Sequence, residues 1–239
     1  MFRIVRTATV AVLVACGLVS SAGAAPIILR TGVDSSNVVM APGSTDTAWQ
    51  ISIDDKATYT DSKVLYPLKD PNNVFSGGQI CCGMETVANT AAWVSDPSVV
   101  PDNGNTAWGI NQDVWLKRSF DLTSYDLSTV SLNATWRIAD YSFGIYLNGN
   151  LLGGTNTGNT PKWDVDTPLL IPAGGGLFVN GINTLELRGQ SLNSGWDGFW
   201  FDGEVDGRVT DTNPVPEPAT LSLLALGSSV LAVRRRRRS

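Results

Sequence analysis

The 239-residue chain contains no histidine, which excludes many familiar catalytic and metal-binding arrangements. A Ser-His-Asp triad, a Cys-His pair and any zinc site that uses histidine all need an imidazole. The remaining catalytic option is a pair of carboxylates, as in glycoside hydrolysis. Asp202 and Glu204 lie two residues apart on one face of a predicted strand, a separation of about 6–7 Å. Because solvent-facing acids are common on β-sheets, we interpret this pair as structural and predict a protein without enzymatic activity.

Two of the eight tryptophans are candidates for ligand contact. Trp136 falls in an inward-facing alternation and is predicted to lie in the core. Trp196 lies in a glycine-flanked turn, and Trp200 is predicted on the strand face opposite Phe199, beside Asp202. An exposed indole next to a carboxylate is a suitable platform for a sugar ring, so Trp196, Trp200 and Asp202 predict a glycan contact. The alternative is that Trp200 packs against a second sheet or a covering loop.

Two further patterns have the residue types for a disulfide or a metal site. Cys81 and Cys82 are adjacent, so in an oxidising compartment their only intramolecular disulfide is a vicinal one; a reduced pair or a bond between chains are the alternatives. The turns Asp54–Asp55 and Asp102–Asn105 could offer oxygen ligands to calcium, although neither has the spacing of an EF-hand loop. Such residues are also typical of tight turns, so we expect no cofactor, with calcium as the alternative.

The first residues have the three parts of a secretory signal peptide. Two arginines precede an apolar run, Ala8–Val19, and the small residues 22–24 follow, so residues 1–24 are predicted to be cleaved. A second interpretation is a lipoprotein signal, because Leu13–Cys16 fits a lipobox and would place a lipid on the cysteine.

The C-terminal segment also has three parts. Residues 210–218 form a proline-bearing linker that ends in Val215, Pro216, Glu217 and Pro218. Residues 219–233 carry no charge and would form a helix of about 22 Å, shorter than the roughly 30 Å hydrocarbon core. Residues 234–239 form a basic tail, which the positive-inside rule places in the cytoplasm and whose long side chains can snorkel to cover the shortfall. Its cations are Arg234, Arg235, Arg236, Arg237 and Arg238.

This tail resembles the PEP-CTERM sorting signal of Gram-negative bacteria. The resemblance implies export by the general secretion machinery, transient anchoring through the membrane helix, and removal of that helix by an exosortase that recognises Pro216-Glu217-Pro218. The protein would then reach the cell surface or the extracellular space, often in bacteria that make exopolysaccharide. An ordinary C-terminal membrane anchor explains the helix and the arginines but not the Pro-Glu-Pro directly before them.

The exported part, about Ala25–Asn213, is strongly acidic. Once the signal peptide and tail are removed, 10 basic and 21 acidic residues remain, a formal net charge of −11. Such a surface repels nucleic-acid phosphates and anionic membranes, so the sequence argues against both as partners of this part.

Short strands separated by Gly, Pro and Asn turns predict an all-β domain, a sandwich or jelly roll, over residues 25–209. Residues 130–139 alternate between apolar and polar side chains, as in a half-buried antiparallel strand. Asn148-Gly149 between two apolar runs predicts a hairpin with a type I′ turn. The other predicted strands include Trp49–Ile53, Ala91–Val94, Val114–Phe120, Phe143–Leu147, Leu169–Ile171, Asn183–Arg188 and Phe199–Val205.

The second half of the domain, about Trp108–Asp206, resembles the galactose-binding-like jelly roll. The resemblance rests on Phe120-Asp121-Leu122, the alternating strand, Ile145–Asn150 and Gly181–Leu187. That family includes carbohydrate-binding modules and many domains with no known ligand, so it implies a fold and assigns no ligand residue. We therefore favour a non-enzymatic surface or matrix protein. A carbohydrate-binding module for exopolysaccharide is the second hypothesis, and a glycan-active enzyme is the third.

Overall fold

The computed structural model describes residues 25–65, 90–98, 108–139, 141–155, 162–191 and 197–210. The signal peptide, the two adjacent cysteines, Asp102–Asn105, Trp196 and the sorting tail lie outside the described residues, so the structure does not test the predictions made for them. Within the described ranges, no helix has the length and apolar character needed to cross a membrane.

Eleven strands and one short 3-10 helix make up the described part of the chain. The strands are β1 (Ile27–Arg30), β2 (Thr45–Ser52), β3 (Thr60–Val64), β4 (Val94–Ser95), β5 (Asp113–Asp121), β6 (Ser131–Ala139), β7 (Tyr141–Leu147), β8 (Asn150–Thr155), β9 (Lys162–Ile171), β10 (Ile182–Gln190) and β11 (Gly198–Asp206). The helix is Leu127–Thr129, and the Asp126 side chain caps it by accepting from the Ser128 N–H.

The strands form one curled sheet in the order β8-β7-β10-β5-β2-β3-β4-β11-β6-β9, and β1 also pairs with β11. Every pairing between these strands is antiparallel. The buried side chains on the inner face of this curled sheet form one apolar core. In this core the ring centroids of Trp49 and Phe201 lie 5.5 Å apart, and the ring centroids of Trp108 and Phe199 lie 5.0 Å apart. The predicted all-β sandwich is therefore confirmed.

Local chemistry explains the best-predicted elements. In β6 the predicted inward row is buried, including Trp136, whereas Asn133 on the other face is exposed. Asn148 and Gly149 have φ values of 52° and 78°, the left-handed conformation that a type I′ hairpin turn requires, and they join β7 to β8.

Candidate functional site

The prediction that Trp200 is exposed is wrong. Its side chain is 2% exposed, and its Nε1–H donates to the Ala91 carbonyl oxygen at 3.3 Å. The segment that leads into β4 runs over this face, and Val94 of β4 pairs with Phe199 of β11. At this end of β11 both faces are therefore buried, and the alternative of a covering segment is the correct one.

Five other tryptophans whose side chains the structure describes offer no open indole face for stacking a sugar. Trp49, Trp93, Trp108, Trp115 and Trp136 are all buried, like Trp200. Trp115, on the outer face of β5, is covered by Lys56, whose Nζ lies 3.7 Å from the ring centroid. Of the two tryptophans predicted to contact a sugar, Trp200 is therefore excluded, and Trp196 lies outside the described residues.

Asp202 and Glu204 lie on the outer face of β11, as predicted, beside a shallow cleft of about 190 Å³. Both are half-buried. Asp202 Oδ1 accepts from Arg30 Nε of β1 at 2.6 Å, so the carboxylate is already bound by a cation. An ion pair that joins two neighbouring strands is a structural use for this carboxylate.

The Asp54–Asp55 turn uses its carboxylates within the fold. Asp54 Oδ1 accepts from the Ser52 hydroxyl at 2.7 Å and from the Thr58 N–H at 2.8 Å. These hydrogen bonds lower the pKa of the Asp54 carboxyl, with the Ser52 hydroxyl as the largest cause. Asp55 Oδ1 accepts from the Trp115 indole N–H at 3.0 Å. Among the described residues, no group of three or more His, Cys, Asp or Glu side chains could hold a metal ion.

A larger cavity, of about 580 Å³, lies between β1, the loop that follows it, the start of β2 and Arg118 of β5. Its volume is in the range typical of small-molecule sites. The lining combines polar and apolar side chains: Ile27, Arg30, Val33, Asp34, Asn37, Met40, Thr45, Asp46, Thr47 and Arg118 are among them.

Arg118 occupies an unusual position for a cation. Val114, Leu116 and Phe120 on the same face of β5 are buried in the core, and strand alternation places Arg118 in that row. Its Nε is buried without a hydrogen-bond partner among the described residues. The other four described arginines are ion-paired, namely Arg30, Arg137, Arg188 and Arg208, whereas Arg118 has no described carboxylate within ion-pair distance.

Asp46 is the buried acid of the same cavity. Its Oδ2 accepts from the Gly32 N–H at 2.7 Å and its Oδ1 from the Ala48 N–H at 2.9 Å. Burial raises the pKa of the Asp46 carboxyl, and these backbone hydrogen bonds and the charge of Arg118 oppose that rise. Burial lowers the pKa of the Arg118 guanidinium, and the charge of Asp46 partly offsets it. The two charges therefore stabilise each other without a direct ion pair.

The wall of the cavity is a loop held by its own hydrogen bonds. Asp34 Oδ1 accepts from the N–H groups of Ser36 at 2.8 Å and Val38 at 3.0 Å. Val33 and Val39 form an isolated antiparallel bridge, and Asn37 takes a positive φ of 61°. These contacts hold the wall in a defined shape.

The cavity is missing from the sequence predictions, although one signal for it exists. The row Val114, Leu116, Arg118, Phe120 places a cation where strand alternation requires an apolar residue. A charge in an inward row indicates either a buried ion pair or a site.

The sequence of the tail identifies its role in sorting. Residues 214–238 match the profile of the PEP-CTERM protein-sorting motif. The chain carries a PEP-CTERM sorting tail. This motif marks an extracellular protein that an exosortase sorts to the surface. The chain stays hydrogen-bonded to the β-domain until a few residues before the motif. Val209 forms a β-bridge with Tyr125, and the Thr210 N–H donates to the Ser124 carbonyl oxygen at 2.7 Å.

Comparison with solved structures gives distant likenesses. TmCBM61, a carbohydrate-binding module solved with β-1,4-galactotriose, is 16% identical, with a TM-score of 0.33; the match covers 73% of this chain and all of that one. A β-glucosidase from Kluyveromyces marxianus, solved with glucose, is 10% identical, with a TM-score of 0.26 over 70% of this chain and 18% of the enzyme. The α-xylosidase of Xanthomonas citri is 10% identical, with a TM-score of 0.23 over 77% of this chain and 19% of the enzyme. These values assign no ligand and no reaction. No curated protein sequence matches the chain.

Proposed function

We propose that this chain is a non-enzymatic protein of the cell surface or extracellular matrix. The general secretion machinery would export it, and an exosortase would release it from a transient membrane anchor, 219–233. The observation that supports the proposal is the sorting motif at residues 214–238. Its position after an acidic β-domain fits a protein that is delivered to the surface and remains there.

The chemistry of the described residues supports a role without catalysis. The carboxylate of Asp202 is bound by Arg30, and Asp46 is held by backbone N–H groups. A retaining or inverting glycosidase needs one carboxyl as acid and a second as base or nucleophile across an open cleft. The exported protein should therefore release no reducing ends from the polysaccharide of its own cells. Hydrolysis that disappears in Asp202→Asn or Glu204→Gln would contradict the proposal.

Carbohydrate binding is the second candidate function, and the cavity beside Arg118 favours it. A pocket of about 580 Å³ with both polar and apolar lining suits a small hydroxyl-rich ligand. The corresponding partner would be the exopolysaccharide of the producing cell. Co-sedimentation of the exported protein with that polysaccharide tests this function, and a protein that stays entirely in solution would exclude it.

A further inference from the structure

We propose that the cavity beside Arg118 binds an uncharged sugar unit, with the Arg118 guanidinium as its principal hydrogen-bond donor. This inference rests on the carbohydrate-binding candidate function and assigns it a site and a ligand class. It replaces the Trp200 platform, which the structure shows to be buried.

The first argument concerns unused donors. A guanidinium carries five N–H donors, and burying any of them without an acceptor costs stability. Arg118 has a buried, unpartnered Nε, and it alone among the described arginines lacks an ion pair. Arg188 has a similarly unpartnered Nε, but its Nη2 is ion-paired with Asp113. No described acceptor bonds to the terminal Nη groups of Arg118 either. Unlike Nε, these groups are not among the buried unpartnered atoms, so a ligand oxygen in the cavity that Arg118 lines would accept from them.

The second argument concerns charge. Four charged residues line the cavity, and Arg30 is already neutralised by Asp202. The charges that remain in the lining are one cation, Arg118, and two carboxylates, Asp34 and Asp46. An anionic ligand would therefore be repelled by two carboxylates and attracted by one guanidinium. Sugar hydroxyls can accept from a guanidinium and donate to a carboxylate. The lining therefore favours a neutral ligand over an acidic one.

The third argument concerns shape. Ile27, Val33 and Met40 contribute apolar surface to the same lining, which can contact the C–H face of a sugar ring. The loop wall is fixed by the hydrogen bonds of Asp34, so less conformational freedom would be lost when a ligand binds. The volume of about 580 Å³ lies within the range typical of small-molecule sites.

The test is calorimetric titration of the exported protein with galactose, glucose and mannose, and with galacturonic and glucuronic acid. We expect at least one neutral sugar to bind, at least tenfold more tightly than either acid. Arg118→Gln should weaken that binding at least tenfold. Arg208→Gln is the matched control, because it removes an exposed arginine of the same charge and should leave the affinity within twofold.

A second variant keeps the test decisive if Arg118→Gln does not fold. Thr47 is exposed and lines the cavity, so Thr47→Phe should narrow it without disturbing the core, and it should also reduce binding at least tenfold. The proposal is overturned if no neutral sugar binds, if an acid binds as tightly as the neutral sugars, or if both variants keep wild-type affinity. Retention on the polysaccharide that survives in both variants would leave carbohydrate binding in place and remove only this site.

Discussion

Replacing Trp200 with alanine should destabilise the β-sandwich by about 4 kcal/mol. The side chain is 2% exposed and its indole N–H donates to the Ala91 carbonyl oxygen. Truncation of a buried tryptophan costs about 3–5 kcal/mol through lost contacts and the cavity left behind. The Ala91 carbonyl oxygen also loses its donor, which adds up to about 1 kcal/mol where no water replaces it.

Thermal unfolding measures this effect directly. For a domain of this size, 1 kcal/mol corresponds to about 2–4 °C, so Trp200→Ala should lower the melting temperature by roughly 8–16 °C. Trp136→Ala, also in the core, should show a similar loss. Leu170→Ala is the surface control: Leu170 is 70% exposed, and its loss should change stability by less than about 0.5 kcal/mol. A Trp200→Ala protein that melts within about 2 °C of wild type would refute the burial argument.

Three other predictions concern single features of the structure. Because burial raises the pKa of Asp46 above its ordinary value of 3.8, its contribution to stability is fully present below that value and is lost as pH rises through the folded-state pKa. The difference in unfolding free energy between wild type and Asp46→Asn, measured by urea titration, should therefore fall as the pH rises from 3.8 to the folded-state pKa. A difference that does not change with pH would contradict the raised pKa. Asn148→Ala should lower the free energy of unfolding, measured in urea, by about 2–4 kcal/mol, because Asn148 adopts a positive φ and its side-chain amide forms hydrogen bonds with Leu177, Asn183 and Thr184. A loss below about 1 kcal/mol would mean that these contacts are replaceable. Millimolar calcium should raise the melting temperature if an Asx-rich turn binds it in the folded state only, whereas equal melting temperatures in calcium and in chelator would exclude a tight site.

The parts of the fold that sequence predicts are those fixed by local chemistry. The Asn148-Gly149 turn follows from two residues that tolerate positive φ, and the alternation in β6 follows from the two-residue period of a strand. In the structure the turn residues have the predicted positive φ values, and β6 buries the predicted face. Two strands are missing from the predictions: β1 has only four residues, and β3 reads Thr-Asp-Ser-Lys-Val, with few apolar side chains.

The error at Trp200 has a non-local cause. Its covering contact comes from Ala91, 109 residues earlier in the chain, and no pattern within β11 reports that contact. Strand alternation states only that two faces differ, and it cannot tell a solvent-facing side from one covered by another segment. Arg118 is the opposite case, since the break in its apolar row is visible in the sequence, but the cavity around it forms only when β1, β2 and β5 come together.

Intact mass spectrometry of the protein recovered from the cell surface tests the sorting proposal most directly. In cells with an active exosortase, the mass should correspond to a chain that begins near Ala25 and has lost residues 219–239, whereas exosortase-deficient cells should retain the tail. A surface protein that still ends at Ser239 in the presence of the active enzyme would show that the tail is a permanent anchor, and the proposed processing would be wrong.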